Sequence, residues 1–148
     1  MQDALAVATV VIVGVMVGVE FAVAFFVNPI FDRLPNDGGL DARTDGARVL
    51  GKVMPFWYIG SVVLGAAVTA LTWGDAGARA FGTATALLVL SVLLSITLLV
   101  PINSRVARWT RESLPADWKQ QMRRWDRFHF VRVALLIAAL ALMVIGVR

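Results

Sequence analysis

The only histidine in the chain, His129, stands between Trp125 and Arg132 at the start of a long apolar run, Phe130 to Val147. On a helix Trp125, His129 and Arg132 occupy i, i+4 and i+7 and share one face. Met122 and Trp118 continue that stripe backwards. An imidazole can take a proton, and a guanidinium can hold a developing oxyanion. Both are costly to desolvate in the first turns of a membrane helix, so a polar partner or a wet cavity must await them. Glu20, an ionisable group inside the first apolar run, is the partner expected for Arg132, as a buried ion pair between helices one and four.

The elements that must position these groups follow from composition. The chain has 148 residues and is 59% hydrophobic, far too apolar for a soluble domain of its size. Four runs can span a bilayer, at about 5–27, 53–73, 79–100 and 116–147. The expected fold is therefore an all-α, integral membrane four-helix bundle, one transmembrane domain over 1–148. The first run lacks a basic flank and is too long for a cleaved signal peptide. With no cysteine, disulfides, thiolate metal sites and cysteine nucleophiles are excluded. The pI near 10.7 does not point to nucleic acid, because the basic residues cluster in two loops, as the positive-inside rule expects.

Helix one is expected to end or kink at Asn28-Pro29, with Glu20 about 10 Å inside the end at Val27. Asn28 lies eight residues on, nearly on the face of Glu20. Gly14 and Gly18 form a small-xxx-small pattern expected to pack closely, with Ser61 and Gly65 as a second such pair. Loop one, Asn28 to Lys52, balances four acids against four bases and reads as a solvated face, with a short surface helix over 41–50. Helix two should begin near Pro55, with Phe56, Trp57 and Tyr58 forming an interfacial belt or a pocket wall. A loop of only 74–78 makes helices two and three antiparallel neighbours. In helix three, Ser91, Ser95 and Thr97 can bond back to their own backbone and need no further role. Val27-Asn28-Pro29-Ile30 with Arg33 has a faint echo in Val100-Pro101-Ile102-Asn103 with Arg105. Nothing breaks helix from Ala116 onward, so the fourth helix should be about 45 Å long and protrude on the cytoplasmic side.

Loops one and three carry eleven Lys or Arg, against Arg79 and Arg148 on the other side. That places both loops in the cytoplasm and both termini outside, with a bacterial inner (plasma) membrane as the expected location. Asn28, Trp57, Tyr58, Asn103, Trp125, His129 and Arg132 then gather at the cytoplasmic end, with Glu20 a turn or two deeper. Such convergence on facing helices is how bundles build ligand sites. A metal could use Glu20 and His129, but one histidine and one carboxylate fall short of a two-His-one-carboxylate set. Haem would have His129 as its only histidine ligand.

The chain resembles the anthrone-oxygenase-like family of small four-helix integral membrane proteins. The likeness rests on Asn28-Pro29 after helix one, Pro55 with aromatics opening helix two, Pro101-Ile102-Asn103 after helix three, and Trp125, His129 and Arg132 opening helix four. Glu20 and the basic third loop lie outside that pattern. The resemblance implies an oxygenase or oxidoreductase acting on a lipophilic aromatic or quinone-like molecule. A base would remove an acidic C–H proton, and the carbanion would react with oxygen directly, with no cofactor required. His129 would be the base, and Arg132 and Asn103 would hold the enolate oxygen. Trp57, Tyr58 and Trp125 would sandwich a flat substrate, with Asn28 beside it. The partners expected are a lipophilic small molecule, the lipid bilayer and no nucleic acid; self-association is left open. Two other readings stand beside this one: a small proton-coupled transporter using Glu20, and an accessory subunit with a structural pocket.

Overall fold

The structure is a computed structural model and describes residues 2–35 and 38–147. It is all-helical, with four long helices: α1 Gln2–Phe31, α2 Gly38–Leu71, α3 Ala78–Val106 and α4 Trp118–Gly146. Each is long and apolar enough to cross a membrane. Among the described residues there is no strand. The helices close into a ring, α1 on α2, α2 on α3, α3 on α4 and α4 back on α1.

The helices run past the prolines at which the sequence places their ends. α1 continues beyond Asn28-Pro29 to Phe31, and α3 beyond Pro101 to Val106. A proline inside a helix removes a donor and pushes its ring at the carbonyl four residues back. Both helices absorb this with a five-residue π turn just before the proline segment, Val23–Val27 in α1 and Ser95–Leu99 in α3. There the Asn28 N–H reaches back five residues to the Val23 carbonyl, and the Val100 N–H does the same to Ser95. The sequence echo between the two segments is thus an echo of structure.

α2 departs furthest from expectation. It begins at Gly38 rather than near Pro55, so the region read as a solvated loop is mostly helix, and Arg43 and Thr44 within it are buried. Its first turn packs on the end of α1, where a Cβ at Gly39 would collide with the Phe31 carbonyl. Pro55 lies inside the helix and leaves the Gly51 carbonyl without its helical donor.

Two cores hold the molecule. The larger, around Val13, Met16, Phe81, Leu88, Leu136 and Met143, fills one end of the ring. There α2 and α3 cross closely: a Cβ on Gly65 would come within 2.6 Å of the Thr85 hydroxyl. The pattern at Gly14 and Gly18 does not make such a crossing. Gly14 meets Leu140 at an ordinary 3.7 Å, and a Cβ on Gly18 would touch nothing within 4 Å. The buried face of α1 runs instead through Val13, Met16, Val17 and Glu20, which turns Gly18 outward. The smaller core gathers Leu40, Ala47, Ile102, Val106, Trp109 and Met122. It ties the start of α2, the end of α3 and the start of α4 together. The polar site lies between the two cores.

Candidate functional site

Arg132 is the hub. Its Nη2 donates to Glu20 Oε2 at 2.6 Å and to His129 Nδ1 at 2.9 Å, and its Nη1 donates to Ser95 Oγ at 3.1 Å. The ion pair expected between Glu20 and Arg132 is therefore formed, with both residues buried. Removing two charges from water is costly, and here the short charge-assisted bond between them, with the further bonds of Arg132 to His129 and Ser95, offsets part of that cost. Both non-aromatic partners lie at or near the special turns: Glu20 is three residues before the π turn of α1, and Ser95 opens the one in α3. Ser95 does bond back to the Ser91 carbonyl, at 2.7 Å, but it also accepts from Arg132, a role the sequence reading did not give it.

The tautomer of His129 follows from its partners. Nε2 lies 3.2 Å from the backbone carbonyl of Glu20, which can only accept, so Nε2 carries the proton. Nδ1 then holds the lone pair and accepts from Arg132, with Glu20 Oε2 3.3 Å away. Trp125 stacks on the ring, centroids 4.6 Å apart and 23° from parallel. The ring is thereby fixed in both orientation and tautomer.

These groups face a cavity of about 690 Å³. Glu20, Asn28, Tyr58, Asn103, Trp125, His129 and Arg132 all line it. The Arg132 guanidinium carbon lies 5.4 Å from the centre of the Tyr58 ring, a cation–π contact. Three buried donors of the lining have no hydrogen-bond partner among the described residues: Arg132 Nε, Tyr58 Oη and Trp125 Nε1. Trp57 is not brought to this site. Its indole N–H donates to the Ile12 carbonyl at 3.2 Å. Adjacent helical residues point about 100° apart, so only one of Trp57 and Tyr58 can face inward. Asn103 donates to the Ala47 carbonyl at 3.1 Å, so part of its donor capacity is spent joining α3 to α2. Glu20 and His129 meet as a metal site would need, but among the described residues no group of three His, Asp or Glu side chains gathers.

A second polar cluster adjoins the cavity through Arg43 and Asn28, which line it. Arg43 grips Asp32 and Asp126 at 2.8–3.1 Å, and Asn28 donates to Asp126 at 2.9 Å. The sequence reading missed Arg43 and both acids. The signal was the stripe Leu40, Arg43, Ala47, Leu50 and Met54, a helical face with one arginine among apolar residues.

A family model described as anthrone oxygenase matches residues 47–142. The chain belongs to the anthrone oxygenase family. In this family member the matched stretch holds Tyr58, Ser95, Asn103, Trp125, His129 and Arg132, while Glu20, Asn28 and Arg43 lie before it. No curated protein and no solved structure matches the chain.

Proposed function

We propose that this family member is a membrane-embedded oxygenase that converts a lipophilic aromatic or quinone-like substrate, of the anthrone kind, by proton removal followed by reaction with oxygen. The observation that carries this reading is the set of three unpartnered donors, Arg132 Nε, Tyr58 Oη and Trp125 Nε1, at a cavity otherwise walled largely by apolar side chains. A dry, unpaired donor is costly, and a flat ligand with carbonyl or phenolic oxygens satisfies it.

In this mechanism His129 Nδ1 is the base, the ring nitrogen that carries no proton. For it to act, Arg132 Nη2 must leave Nδ1, which frees that same N–H for the enolate oxygen of the substrate. The imidazolium that results lies beside the Glu20 carboxylate, 3.3 Å away, which balances its charge. A methylene becomes a carbonyl while dioxygen supplies one oxygen to the product and one to water. The scheme requires no cofactor. Proton-coupled transport through Glu20 is the weaker reading, because that carboxylate is held by Arg132 at 2.6 Å rather than free to exchange protons.

In the bilayer, the Asn28–Lys52 and Pro101–Arg127 segments, with their eleven basic residues, lie on the cytoplasmic side, and both termini lie on the other. In intact cells a cysteine replacing Asp75 is then labelled by an impermeant thiol reagent, and one replacing Gly38 is not. The chemistry is tested with anthrone and the reconstituted protein. Oxygen uptake above that of protein-free vesicles, one dioxygen per molecule of quinone formed, supports the reading; uptake at the vesicle rate sinks it.

A further inference from the structure

α2 and α3 touch at two levels and part between them. At one level Gly65 lies against Thr85, and a Cβ on Gly82 would meet Thr69 at 3.4 Å. At the other, Asn103 Nδ2 bonds the Ala47 carbonyl, and a Cβ on Gly51 would meet the same nitrogen at 3.1 Å. Gly51 and Gly65 are about 21 Å apart along α2 at ~1.5 Å per residue. Between them no Cα of the α3 π turn, Ser95–Leu99, comes within 8 Å of α2.

The cavity reaches the outer surface in that gap. Every exposed residue of its lining belongs to α2 or α3, among them Pro55, Ile59, Ile96 and Val100. Ile59 is 57% exposed and Ile96 59%, while on the opposite walls Glu20, Val23, His129 and Arg132 are buried. Both edges of the gap are irregular helix. On α2, Pro55 leaves the Gly51 carbonyl unbonded; on α3, Ile96 lies in the π turn. Such edges bend more easily than continuous helix. The edge is apolar at Ile59 and Ile96 and becomes polar only toward Lys52 and Ser104.

We infer that the ligand reaches the site sideways from the acyl-chain region of the bilayer, through a portal between α2 and α3 whose edges are Ile59 and Ile96. The occupant that suits this edge is an uncharged lipophilic molecule already dissolved in the membrane, since a charged one would be excluded at the depth of the isoleucines. The inference rests on the membrane placement and ligand class proposed above, but not on the oxygenase chemistry, and its test needs no turnover.

The chain has no cysteine, so a single introduced thiol is a clean reporter. Met54→Cys places it in the cavity wall, at a buried position. The full chain is reconstituted in phosphatidylcholine vesicles, and flotation establishes insertion. The thiol is then challenged with pyrenyl maleimide, which partitions into the bilayer, and with a sulfonated methanethiosulfonate, which stays in water. We expect fast labelling by the first and slow labelling by the second. Adding Ile59→Trp and Ile96→Trp should slow pyrenyl maleimide tenfold or more, and Ile59→Ala with Ile96→Ala should speed it severalfold. If the tryptophans disrupt the fold, the sulfonated reagent speeds up as well, and the alanine pair alone then decides. The portal is overturned if the sulfonated reagent labels Met54→Cys as fast as the lipid-dissolved one, or if properly folded tryptophan and alanine variants leave the pyrenyl maleimide rate unchanged. A chain that fails to float overturns it too, and separates loss of the membrane placement from loss of the portal.

Discussion

Two buried arginines, Arg43 and Arg132, sit in neighbouring polar clusters and are used in opposite ways. Arg43 spends Nε, Nη1 and Nη2 on two carboxylates, Asp32 and Asp126. No guanidinium nitrogen is left over, and the result is a clamp joining the end of α1, the start of α2 and α4. Arg132 has one carboxylate, one hydroxyl and one imidazole around it, and its buried Nε has no partner. A saturated network rigidifies a fold, while an unsaturated one costs stability unless something arrives to complete it. Burial of an arginine therefore does not mark a site here. What separates Arg132 from Arg43 is its unfilled donor.

The sharpest way to break the contrast is to remove the hub. Arg132→Met strands the buried carboxylate of Glu20, and loss of one partner of such a pair typically costs about 3–5 kcal/mol. Thermal melting should show a large drop, and adding Glu20→Gln should recover part of it. Simple additivity of the two substitutions would mean that the pair carries no coupling, despite its 2.6 Å contact.

His129→Gln comes next and tests chemistry apart from fold. A glutamine amide can donate to the Glu20 carbonyl and accept from Arg132, reproducing both bonds of the imidazole, but it cannot titrate. Melting should stay within a few degrees, and anthrone turnover should fall about a hundredfold or more. A folded variant that keeps its activity removes His129 as the base.

Asp126→Asn tests the saturated cluster. It weakens charge-assisted bonds to Arg43, but Asp32 remains, and Asp126 is 24% exposed, so water can compensate in part. The expected loss is about 1.5–3 kcal/mol of stability with unchanged anthrone affinity. An affinity change larger than the error of a binding titration would mean that the clamp and the site are coupled.

How far the sequence reached follows the same division. The meeting of Glu20, His129 and Arg132 was legible because rarity and helical spacing point to it: one histidine, and charges inside apolar runs that must find each other. The prolines misled. Pro29, Pro55 and Pro101 each read as a helix boundary, whereas α1 and α3 pass theirs through π turns and α2 carries its own within the helix. No local propensity announces that choice, which is made by packing against neighbouring helices. With helix two placed from about Pro55 onward, Arg43 falls on a short surface helix of a solvated segment, and its buried clamp is not visible from that placement. Trp57 and Tyr58 were equivalent by composition, and only the rotation of α2 separates them.

The smallest effect is the most discriminating. Tyr58→Phe removes one hydroxyl that is buried and unpartnered, and leaves the ring under Arg132. In a structural core an unpaired hydroxyl is a defect, so its deletion should raise the stability of the ligand-free protein, by up to about 1 kcal/mol. In a binding site the same hydroxyl is held for the ligand, so its deletion should also weaken anthrone binding, by several-fold to about tenfold. The two measurements must move in opposite directions on one preparation: melting temperature up, affinity down. If stability rises and affinity does not change, Tyr58 Oη is a tolerated flaw and the donor set shrinks to Arg132 Nε and Trp125 Nε1. If stability falls, the hydroxyl already has a partner in solution, and the division between a filled and an unfilled arginine cluster no longer separates clamp from site.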